Sequence, residues 1–381
     1  MTATLADLAT PVLLLDGFKV ARNLERMRAH LAPHGVVLRP HMKTAKSVAV
    51  MRDLVGGPET PITVSTLKEA EVYANAGVKD ITYAVGISPD KLDRVAALRK
   101  SGCNLSVILD SVDAAKAVAA KSRETGDAIP ALIELDADGH RAGLQSSRGE
   151  ELVDIARALV DGGAALKGVL VHAGESYAVP GEAAIVEAAE VERRTAVGAA
   201  EKLRAAGLPC PTVSVGSTPT AIYGKDFTGI TEVRAGVFMF FDLVMEGLGV
   251  CSLDDIAAGV LATVIGHQPE KGWTLIDAGW MAMSRDRGTS ALPLDQGYGV
   301  VCDPLGKPYP DQIVIKASQE HGIIAARPGS SAKPLDLPLG AKVLVLPNHA
   351  CATAAQYDAY VMTDARRPGE VLGTAARFRG W

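Results

Sequence analysis

The chain has 381 residues, of which 48% are hydrophobic and 22% charged, and its formal net charge is −5 at pH 7. This composition excludes a disordered chain, and the length suits one α/β barrel of about 250 residues with a smaller second domain. The negative charge argues against nucleic acid, and no apolar run approaches the roughly 18 residues of a membrane-spanning helix. We therefore expect a soluble enzyme with neither nucleic acid nor a membrane as its partner.

The five cysteines are widely scattered and have no CxxC spacing. They are Cys103, Cys210, Cys251, Cys302 and Cys351. This pattern predicts neither a disulfide framework nor a zinc knuckle. The N-terminal residues also lack the basic segment and apolar core of an export signal, so we expect the protein in a reducing cytoplasm.

Between residues 36 and 242, short β-branched runs alternate with stretches rich in Ala, Leu, Glu, Lys and Arg. This alternation is typical of repeated βα units. Eight strands are predicted to begin at Val36, Ile62, Ile81, Leu105, Ala131, Lys167, Thr212 and Thr231. The predicted helices cover 47–54, 67–76, 91–100, 114–125, 151–159 and 181–206. Eight such strands predict closure into a (β/α)8 TIM barrel.

A doubly wound open sheet is the alternative, because the connection 219–229 is too short and turn-rich for a full helix. No GxGxxG follows the first strand, as the dinucleotide-binding form of that sheet would require. The glycine turn Gly216-Ser217-Thr218 instead follows the seventh strand, where barrels commonly bind phosphate. Its position favours the barrel.

After about residue 250 the predicted strands follow one another without helices, at 260–265, 273–278, 312–317 and 341–346. This pattern indicates a separate β-rich domain. The apolar run 11–16, which precedes a predicted helix at 18–31, can join that domain rather than the barrel. We therefore predict a barrel over 17–248 and a β-rich domain over 249–381, joined by residues 1–16.

The first barrel strand ends in Leu38-Arg39-Pro40-His41-Met42-Lys43-Thr44. Barrel active sites lie at the C-terminal ends of the strands, so Lys43 is either a plain loop residue or a nucleophile. If the barrel mouth desolvates its amine, Lys43 can attack an aldehyde and later act as an acid or base. Lys46, one turn further, is expected to be solvated.

The segment Arg39–Lys46, with Thr10–Asp16 before it, resembles the first barrel strand of the D-serine dehydratase and D-threonine aldolase family. The resemblance continues, in the same order, at 63–70, 138–143, 172–177, 214–220 and 347–351. It implies the alanine-racemase-like fold, fold type III among pyridoxal-phosphate enzymes. In that family the first lysine of the motif carries pyridoxal 5′-phosphate as a Schiff base, which maps onto Lys43.

Phosphate binding requires hydrogen-bond donors that converge on one point and no side chain that blocks the approach. Gly216, Ser217 and Thr218 offer both, through backbone amides and hydroxyls. The alternative is that these residues only form a turn. The segment Arg234-Ala235-Gly236-Val237 resembles the racemase segment in which the glycine and the next residue donate backbone amides to the same phosphate.

Arg234 is similar in position to the arginine that faces the pyridine nitrogen in racemases, although relatives in this family often use other residues there. His172 and Tyr177 are the competing candidates, and a histidine at a strand end can equally be structural. Arg141 can hold the phenolic oxygen of the cofactor or a substrate carboxylate, or form a surface ion pair.

His349 and Cys351 stand two apart after the strand at 342–346, so an extended chain would place both side chains on one face. Imidazole and thiolate suit Zn²⁺, and two ligands leave coordination positions for water or substrate. In the dehydratases that the chain resembles, this pair binds zinc or another divalent ion, with manganese, magnesium or cobalt as alternatives. The aldolases usually carry Asp at the second position, so Cys351 favours a dehydratase.

Two further segments are weaker candidates for a functional role. Gln319-Glu320-His321 matches a family segment and is a candidate proton relay near the metal. Arg285 and Arg287 can receive a second substrate carboxylate, or belong to an exposed loop with an internal Arg–Asp pair.

The resemblance implies a lyase that removes water from 3-hydroxy-D-amino acids by β-elimination and releases ammonia. The expected reaction converts D-threo-3-hydroxyaspartate to oxaloacetate, and D-serine would give pyruvate. Retro-aldol cleavage to glycine and an aldehyde, as in D-threonine aldolases, is one alternative, and a non-catalytic pyridoxal-phosphate-binding protein is another. A racemase would need a second base that the sequence does not identify. Relatives form head-to-tail dimers, which implies a homodimer.

Overall fold

The computed structural model describes residues 3–139, 141–179 and 181–381. Contacts between residues divide the chain into two compact units. The β-rich unit holds the chain up to Glu25 together with Val237–Arg379, and the barrel unit holds Arg26–Gly236 and the last two residues. His140, in one of the family-like segments, lies outside the described residues.

In chain order, the strands are β1 (Val12–Asp16), β2 (Val37–Leu38), β3 (Ile62–Val64), β4 (Asp80–Gly86), β5 (Asn104–Leu109), β6 (Pro130–Asp136), β7 (Leu144–Gln145), β8 (Ala165–Val171), β9 (Thr212–Val215), β10 (Glu232–Val233), β11 (Ala258–Gln268), β12 (Trp273–Ile276), β13 (Val300–Cys302), β14 (Pro308–Ala317), β15 (Gly322–Ala326), β16 (Lys342–Leu346), β17 (Ala359–Thr363) and β18 (Gly373–Ala376). The α-helices are α1 (Gly17–Leu31), α2 (Val48–Val50), α3 (Leu67–Asn75), α4 (Leu92–Lys100), α5 (Val112–Thr125), α6 (Gly149–Val160), α7 (Glu182–Ala205), α8 (Thr218–Tyr223), α9 (Leu243–Gly247), α10 (Trp280–Met283) and α11 (Ala350–Ala354).

The barrel unit contains a parallel sheet in the order β2-β10-β9-β8-β6-β5-β4-β3, with β7 paired to β6. Its two ends meet, because His41, just beyond β2, bridges Thr63 of β3. The Met42 N–H donates to the Thr63 carbonyl at 2.8 Å, and the Thr63 N–H donates to the Pro40 carbonyl at 2.9 Å. The eight predicted strands therefore form a closed barrel, and the open-sheet alternative is wrong.

Helices α3 and α5 of the barrel unit begin where the sequence supplies a capping hydroxyl shortly after a strand. The side chain of Thr66 accepts the Glu69 N–H at the start of α3, and Ser111 accepts the Ala114 N–H at the start of α5. Such caps satisfy backbone donors that the first helical turn leaves free. The seventh connection contains only the short helix α8, as the turn-rich sequence at 219–229 predicts.

The barrel interior contains a buried charged layer as well as apolar side chains. Arg39 donates through Nε to Glu232 at 2.8 Å and through both terminal nitrogens to Asp80 at 3.0 Å. The Ser214 hydroxyl donates to the other Glu232 oxygen at 2.6 Å. Buried charges are tolerated when they are paired and hydrogen-bonded, as they are here. These bonds connect Arg39, which follows β2, with β4, β9 and β10 across the barrel.

The β-rich unit contains a mainly antiparallel sheet in the order β12-β15-β14-β13-β16-β11-β1-β17-β18. Strand β11 also pairs with β12, so the first six strands close into a small barrel. Strand β1 pairs antiparallel with β11 and parallel with β17. The apolar run 11–16 therefore belongs to this sheet.

The contact-based division assigns residues 17–25 and 237–248 to the β-rich unit, whereas the predicted ranges placed them in the barrel. Their hydrogen bonds give the physical reason. The Asn23 amide donates to the Asp255 carbonyl at 2.9 Å, and the Leu243 N–H donates to the Pro347 carbonyl at 3.0 Å. The domain boundaries expected from the sequence, 17–248 and 249–381, remain a prediction.

In the described parts of the chain, no helix combines the length and the apolar composition needed to cross a membrane.

Candidate cofactor and metal sites

Lys43 follows the short bridge that closes the barrel between β2 and β3. Its backbone N–H donates to Nδ1 of His41 at 3.4 Å, and His41 Nε2 lies 3.3 Å from the Ser65 hydroxyl. The Lys43 side chain is exposed, so the expectation that the barrel mouth desolvates its amine is not confirmed. Lys46 is not simply solvated either, because it pairs with the buried Glu69 at 3.2 Å.

Two histidines near Lys43 are kept neutral by their surroundings. Burial is the main cause of a lowered pKa in both His41 and His172, and it brings the pKa of His172 to about 3. The charges of Lys43, Arg141 and Arg234 lower both pKa values further. The structure thus brings together three predicted cationic residues around two neutral imidazoles. Such a positive cluster suits an anionic ligand.

His172 and Tyr177 lie beside each other, with ring centroids 6.3 Å apart. His172 Nδ1 is 2.9 Å from the Gly216 carbonyl oxygen, so Nδ1 carries the proton and the ring is held against the glycine turn. The Tyr177 hydroxyl accepts the Thr218 N–H at 3.2 Å. Both side chains therefore contact the turn that the sequence assigns to phosphate.

Arg234 is buried, and burial lowers the pKa of its guanidinium. The guanidinium donates to the Ser214 hydroxyl and, at 2.5 Å, to the Val171 carbonyl oxygen. These bonds fix it between β8 and β9. Its role opposite the pyridine nitrogen stays a prediction, as do those of His172, Tyr177 and Arg141.

The turn after β9 is held from within the protein. The Gly216 N–H donates to the Glu192 carboxylate at 2.8 Å, and the Ser217 N–H donates to the Thr220 hydroxyl at 3.1 Å. The Ser217 hydroxyl lies 2.7 Å from the Ser176 hydroxyl. The predicted amide donors thus have partners within the protein, and their part in phosphate binding stays a prediction.

Sequence reasoning missed Glu192, although a signal was present. The buried positions of α7 are Ile185, Glu192, Ala196, Ala200 and Leu203. This spacing follows the helical period, so a carboxylate lies on the otherwise apolar face of the helix. A charged residue at such a position requires hydrogen-bond partners, which the glycine turn supplies.

The backbone at the two predicted glycines leaves no room for a side chain. Gly216 has φ +146°, and a Cβ there would overlap the Arg234 carbonyl oxygen. At Gly236 a Cβ would lie 3.0 Å from the His41 carbonyl oxygen and 3.3 Å from the Thr44 hydroxyl. An accessible amine, a cluster of cations and side-chain-free turns together fit pyridoxal 5′-phosphate. Val237 opens a 3-10 helix, Val237–Met239, in the β-rich unit.

His349 and Cys351 do not lie on an extended strand, so the argument from alternating strand faces is wrong. His349 is the N-cap of α11, and Cys351 lies inside that helix. The helix starts here because the Asp242 carboxylate accepts the Ala350 N–H at 2.9 Å. The two side chains nevertheless meet, through a hydrogen bond between His349 and Cys351.

The surroundings of His349 are strongly negative. Burial would lower the pKa of His349, but hydrogen bonds to Asp286 and Cys351 outweigh it and raise the pKa to about 11. The carboxylate and thiol that raise this pKa would also favour a divalent cation, which has to displace the proton from the imidazole before it binds. Within the described residues, no group of three or more His, Cys, Asp or Glu side chains is arranged to hold a metal. His349 and Cys351, an imidazole and a thiol in contact, fit a site with two protein ligands.

The arginines near Asp286 do not form the internal pair that the sequence suggested. Asp286 instead contacts His349 Nδ1 at 2.7 Å, and Arg287 pairs with Asp295 at 2.5 Å. Arg285 stacks over the Trp280 ring at 4.7 Å. The segment 319–321 is exposed at the β14–β15 turn, and its relay role stays a prediction.

Comparison with known proteins gives consistent results for both halves of the chain. Residues 15–244 match the alanine racemase N-terminal domain, and residues 257–363 match the putative serine dehydratase domain. The chain is 51% identical over its whole length to the whole D-threo-3-hydroxyaspartate dehydratase of Delftia sp. strain HT23. It is 29% identical to the D-serine dehydratase of Dictyostelium discoideum, covering 93% of each chain.

A solved structure is also closely similar. It is a cysteine-to-alanine mutant of D-threo-3-hydroxyaspartate dehydratase in the metal-free form, with a TM-score of 0.95, 50% identity and full coverage of both chains. The likeness therefore extends through both units in sequence and in fold.

Proposed function

Since the chain belongs to the alanine-racemase-like family of pyridoxal-phosphate enzymes that includes the D-serine dehydratases, we propose that it is a metal-dependent dehydratase of 3-hydroxy-D-amino acids. The observation that carries the proposal is the presence, in one chain, of the cationic cluster around Lys43 and of the contacting pair His349 and Cys351. The similarity to the Delftia enzyme supports D-threo-3-hydroxyaspartate as the substrate.

In this proposal Lys43 would hold the cofactor through its amine. The same amine, when free, would take the proton from the substrate Cα. Bound pyridoxal 5′-phosphate supplies the electron sink for the charge left on that carbon. Positioned acid–base groups of this kind contribute about 10²- to 10⁴-fold to rate.

The neighbouring residues bind and orient. Arg141 and Arg234 act on His172 through their charges, and those charges would attract phosphate, a phenolic oxygen or the substrate carboxylate. His41 and His172 stay neutral at physiological pH because burial lowers the pKa of each. Because a lowered pKa makes each imidazole a weak proton acceptor, Lys43 remains the proposed proton-transfer group of the cluster.

His349 and Cys351 would hold the divalent ion through an imidazole nitrogen and a thiolate, a ligand set that suits zinc. A bound divalent ion supplies the Lewis acid that a poor leaving group such as hydroxide requires. Manganese, magnesium and cobalt are the other candidates.

The net reaction removes water across Cα and Cβ and then takes water up again as the product hydrolyses. D-threo-3-hydroxyaspartate thus yields oxaloacetate and ammonia, and D-serine would yield pyruvate and ammonia. We also propose a homodimer in the cytoplasm. The family resemblance supports the dimer, and the scattered cysteines without CxxC spacing fit a reducing compartment.

The test is single-turnover product analysis of the purified protein on D-threo-3-hydroxyaspartate, D-serine and D-threonine, with and without EDTA. Ammonia and an oxo acid that vanish with EDTA would support the proposal. Glycine and an aldehyde would make the protein an aldolase, and no turnover with any substrate would favour a non-catalytic binding protein. Lys43→Ala should abolish the visible absorbance of the bound cofactor, and an unchanged spectrum would remove Lys43 from its role.

A further inference from the structure

We infer that Asp286 is a positioning residue for metal binding, which holds His349 in the one tautomer and ring orientation that make Nε2, and not Nδ1, the nitrogen that would bind a divalent cation. The inference rests on the proposed metal-dependent function, and it concerns a residue that the family resemblance does not assign.

The contact itself selects the tautomer. Asp286 Oδ2 lies 2.7 Å from His349 Nδ1. An ionised carboxylate only accepts hydrogen bonds, so Nδ1 must carry the proton. The lone pair of a neutral ring then lies on Nε2, and the ring cannot turn without breaking the bond. Metal-binding histidines are commonly oriented by a carboxylate in this way.

Asp286 is itself fixed by its own loop. The Ser284 hydroxyl accepts the Asp286 N–H at 3.1 Å, and the Gly288 N–H donates to the Asp286 carboxylate. Ser284 is buried and adopts φ +76°, a conformation that a side-chain-bearing residue rarely takes. Such strain persists only where the surroundings hold it in place, and it is common at functional sites.

The loop of Asp286 and the turn of His349 are tied together independently of the ion pair. Asn348, which precedes His349, is buried; its side-chain oxygen accepts the Thr289 N–H at 3.2 Å. Its amide donates to the Gly297 carbonyl at 2.8 Å. The carboxylate and the imidazole are therefore held at a set separation before any metal binds.

The side chains of His349 and Asp286 are 41% and 39% exposed, so solvent screens part of the ion pair's contribution to folding. A positioning role predicts that removal of the carboxylate weakens metal binding far more than it lowers stability.

The experiment is a Co²⁺ titration of the EDTA-treated holoenzyme, followed by calorimetry and by the thiolate-to-cobalt absorbance. Compared with wild type, D286A should bind Co²⁺ about 10- to 100-fold more weakly, with D286N in between because its oxygen can still accept from Nδ1. The matched control is D295A, which removes a carboxylate of the same segment that pairs with Arg287 instead of His349. D295A should bind Co²⁺ as wild type does.

The outcomes separate the two proposals. If the wild-type protein shows no saturable Co²⁺ binding, or if H349A binds as wild type does, the proposed metal site is overturned. If wild type binds Co²⁺ and D286A and D286N bind it equally well, only the role of Asp286 is overturned. The role of Asp286 is also overturned if, across D286A, D286N and D295A, the loss of Co²⁺ affinity is proportional to the loss of thermal stability. If D286A does not fold, the comparison of D286N with wild type decides.

Discussion

The carboxylate of Glu192 accepts the backbone N–H of Gly216 at 2.8 Å. It also accepts the Ala173 N–H at 3.1 Å and the Thr220 hydroxyl at 2.8 Å, and it is buried. Burial is the main influence on this carboxyl and raises its pKa. One side chain of α7 therefore holds the residues just after β8 and just after β9. The predicted phosphate turn begins directly after β9.

Glu192→Ala should weaken cofactor binding, because it leaves the Gly216 and Ala173 amides without their acceptor and loosens the turn. Unsatisfied buried donors cost about 1–3 kcal/mol each, so we expect a loss of about tenfold or more in cofactor affinity. The measurement is the dissociation constant of pyridoxal 5′-phosphate, read from its absorbance on titration.

Two variants control for general destabilisation. Leu203→Ala opens a cavity on the same buried face of α7, far along the helix from the turn, and should lower stability without a matching loss of cofactor affinity. Glu192→Gln keeps an acceptor oxygen and should bind better than the alanine variant. Equal affinities in Glu192→Ala and Leu203→Ala at equal stability would refute the prediction.

Gly216→Ala should be strongly destabilising. The residue has φ +146°, and the new methyl group would overlap the Arg234 carbonyl oxygen, so backbone must move. Strain of this kind costs about 1–3 kcal/mol, measurable as a lower urea midpoint. Gly198→Ala is the comparison, since a Cβ there meets nothing within 4 Å inside α7, and it should be neutral or stabilising. A neutral Gly216→Ala would show that the turn is less tightly packed than described.

The stability of the protein should fall as the pH drops below the ordinary pKa of histidine. His172 has a pKa near 3 in the folded chain against 6.5 otherwise, so between these values only the unfolded chain binds the proton. The free energy of unfolding therefore decreases on acidification, by up to about 1.4 kcal/mol per pH unit for one histidine. His41, whose pKa is lowered as well, adds a change of the same sign.

His172→Gln removes this contribution, so its stability should depend less steeply on pH below about 6.5 than that of wild type. Chemical unfolding followed by circular dichroism at a series of pH values measures both slopes. Parallel curves for the two proteins would mean that His172 is not held neutral by burial.

Glu232→Gln should destabilise the barrel, because Arg39 and Glu232 are only 5% and 6% exposed and lie 2.8 Å apart. Removing one partner of a buried ion pair costs about 3–5 kcal/mol, since the other charge stays buried without full compensation. Asp53→Asn, which breaks the exposed pair with Arg52, should change stability by less than about 1 kcal/mol. Urea unfolding of both variants checks the contrast, and similar midpoints would contradict it.

Local patterns of the sequence predicted the barrel well. All eight strands were found because parallel barrel strands are buried on both faces and form β-branched runs between helical segments. The position of β1 in the other sheet followed from its apolar run before a helix. Lys43 and the glycine turn were singled out because barrel active sites lie at strand ends, which sequence order reveals, and their roles stay predictions.

Contacts between distant segments were decided only by the tertiary structure. The extended geometry expected at His349 and Cys351 was wrong because Asp242, more than a hundred residues earlier, caps the turn and starts α11 there. The contacts of Glu192 and Asp286 were not predicted for the same reason, since their partners lie 24 and 63 positions away in the chain. Periodicity and capping act over a few residues, so the sequence by itself determined the elements and where candidate site residues follow the strands. Long-range hydrogen bonds determined how the two sites are held.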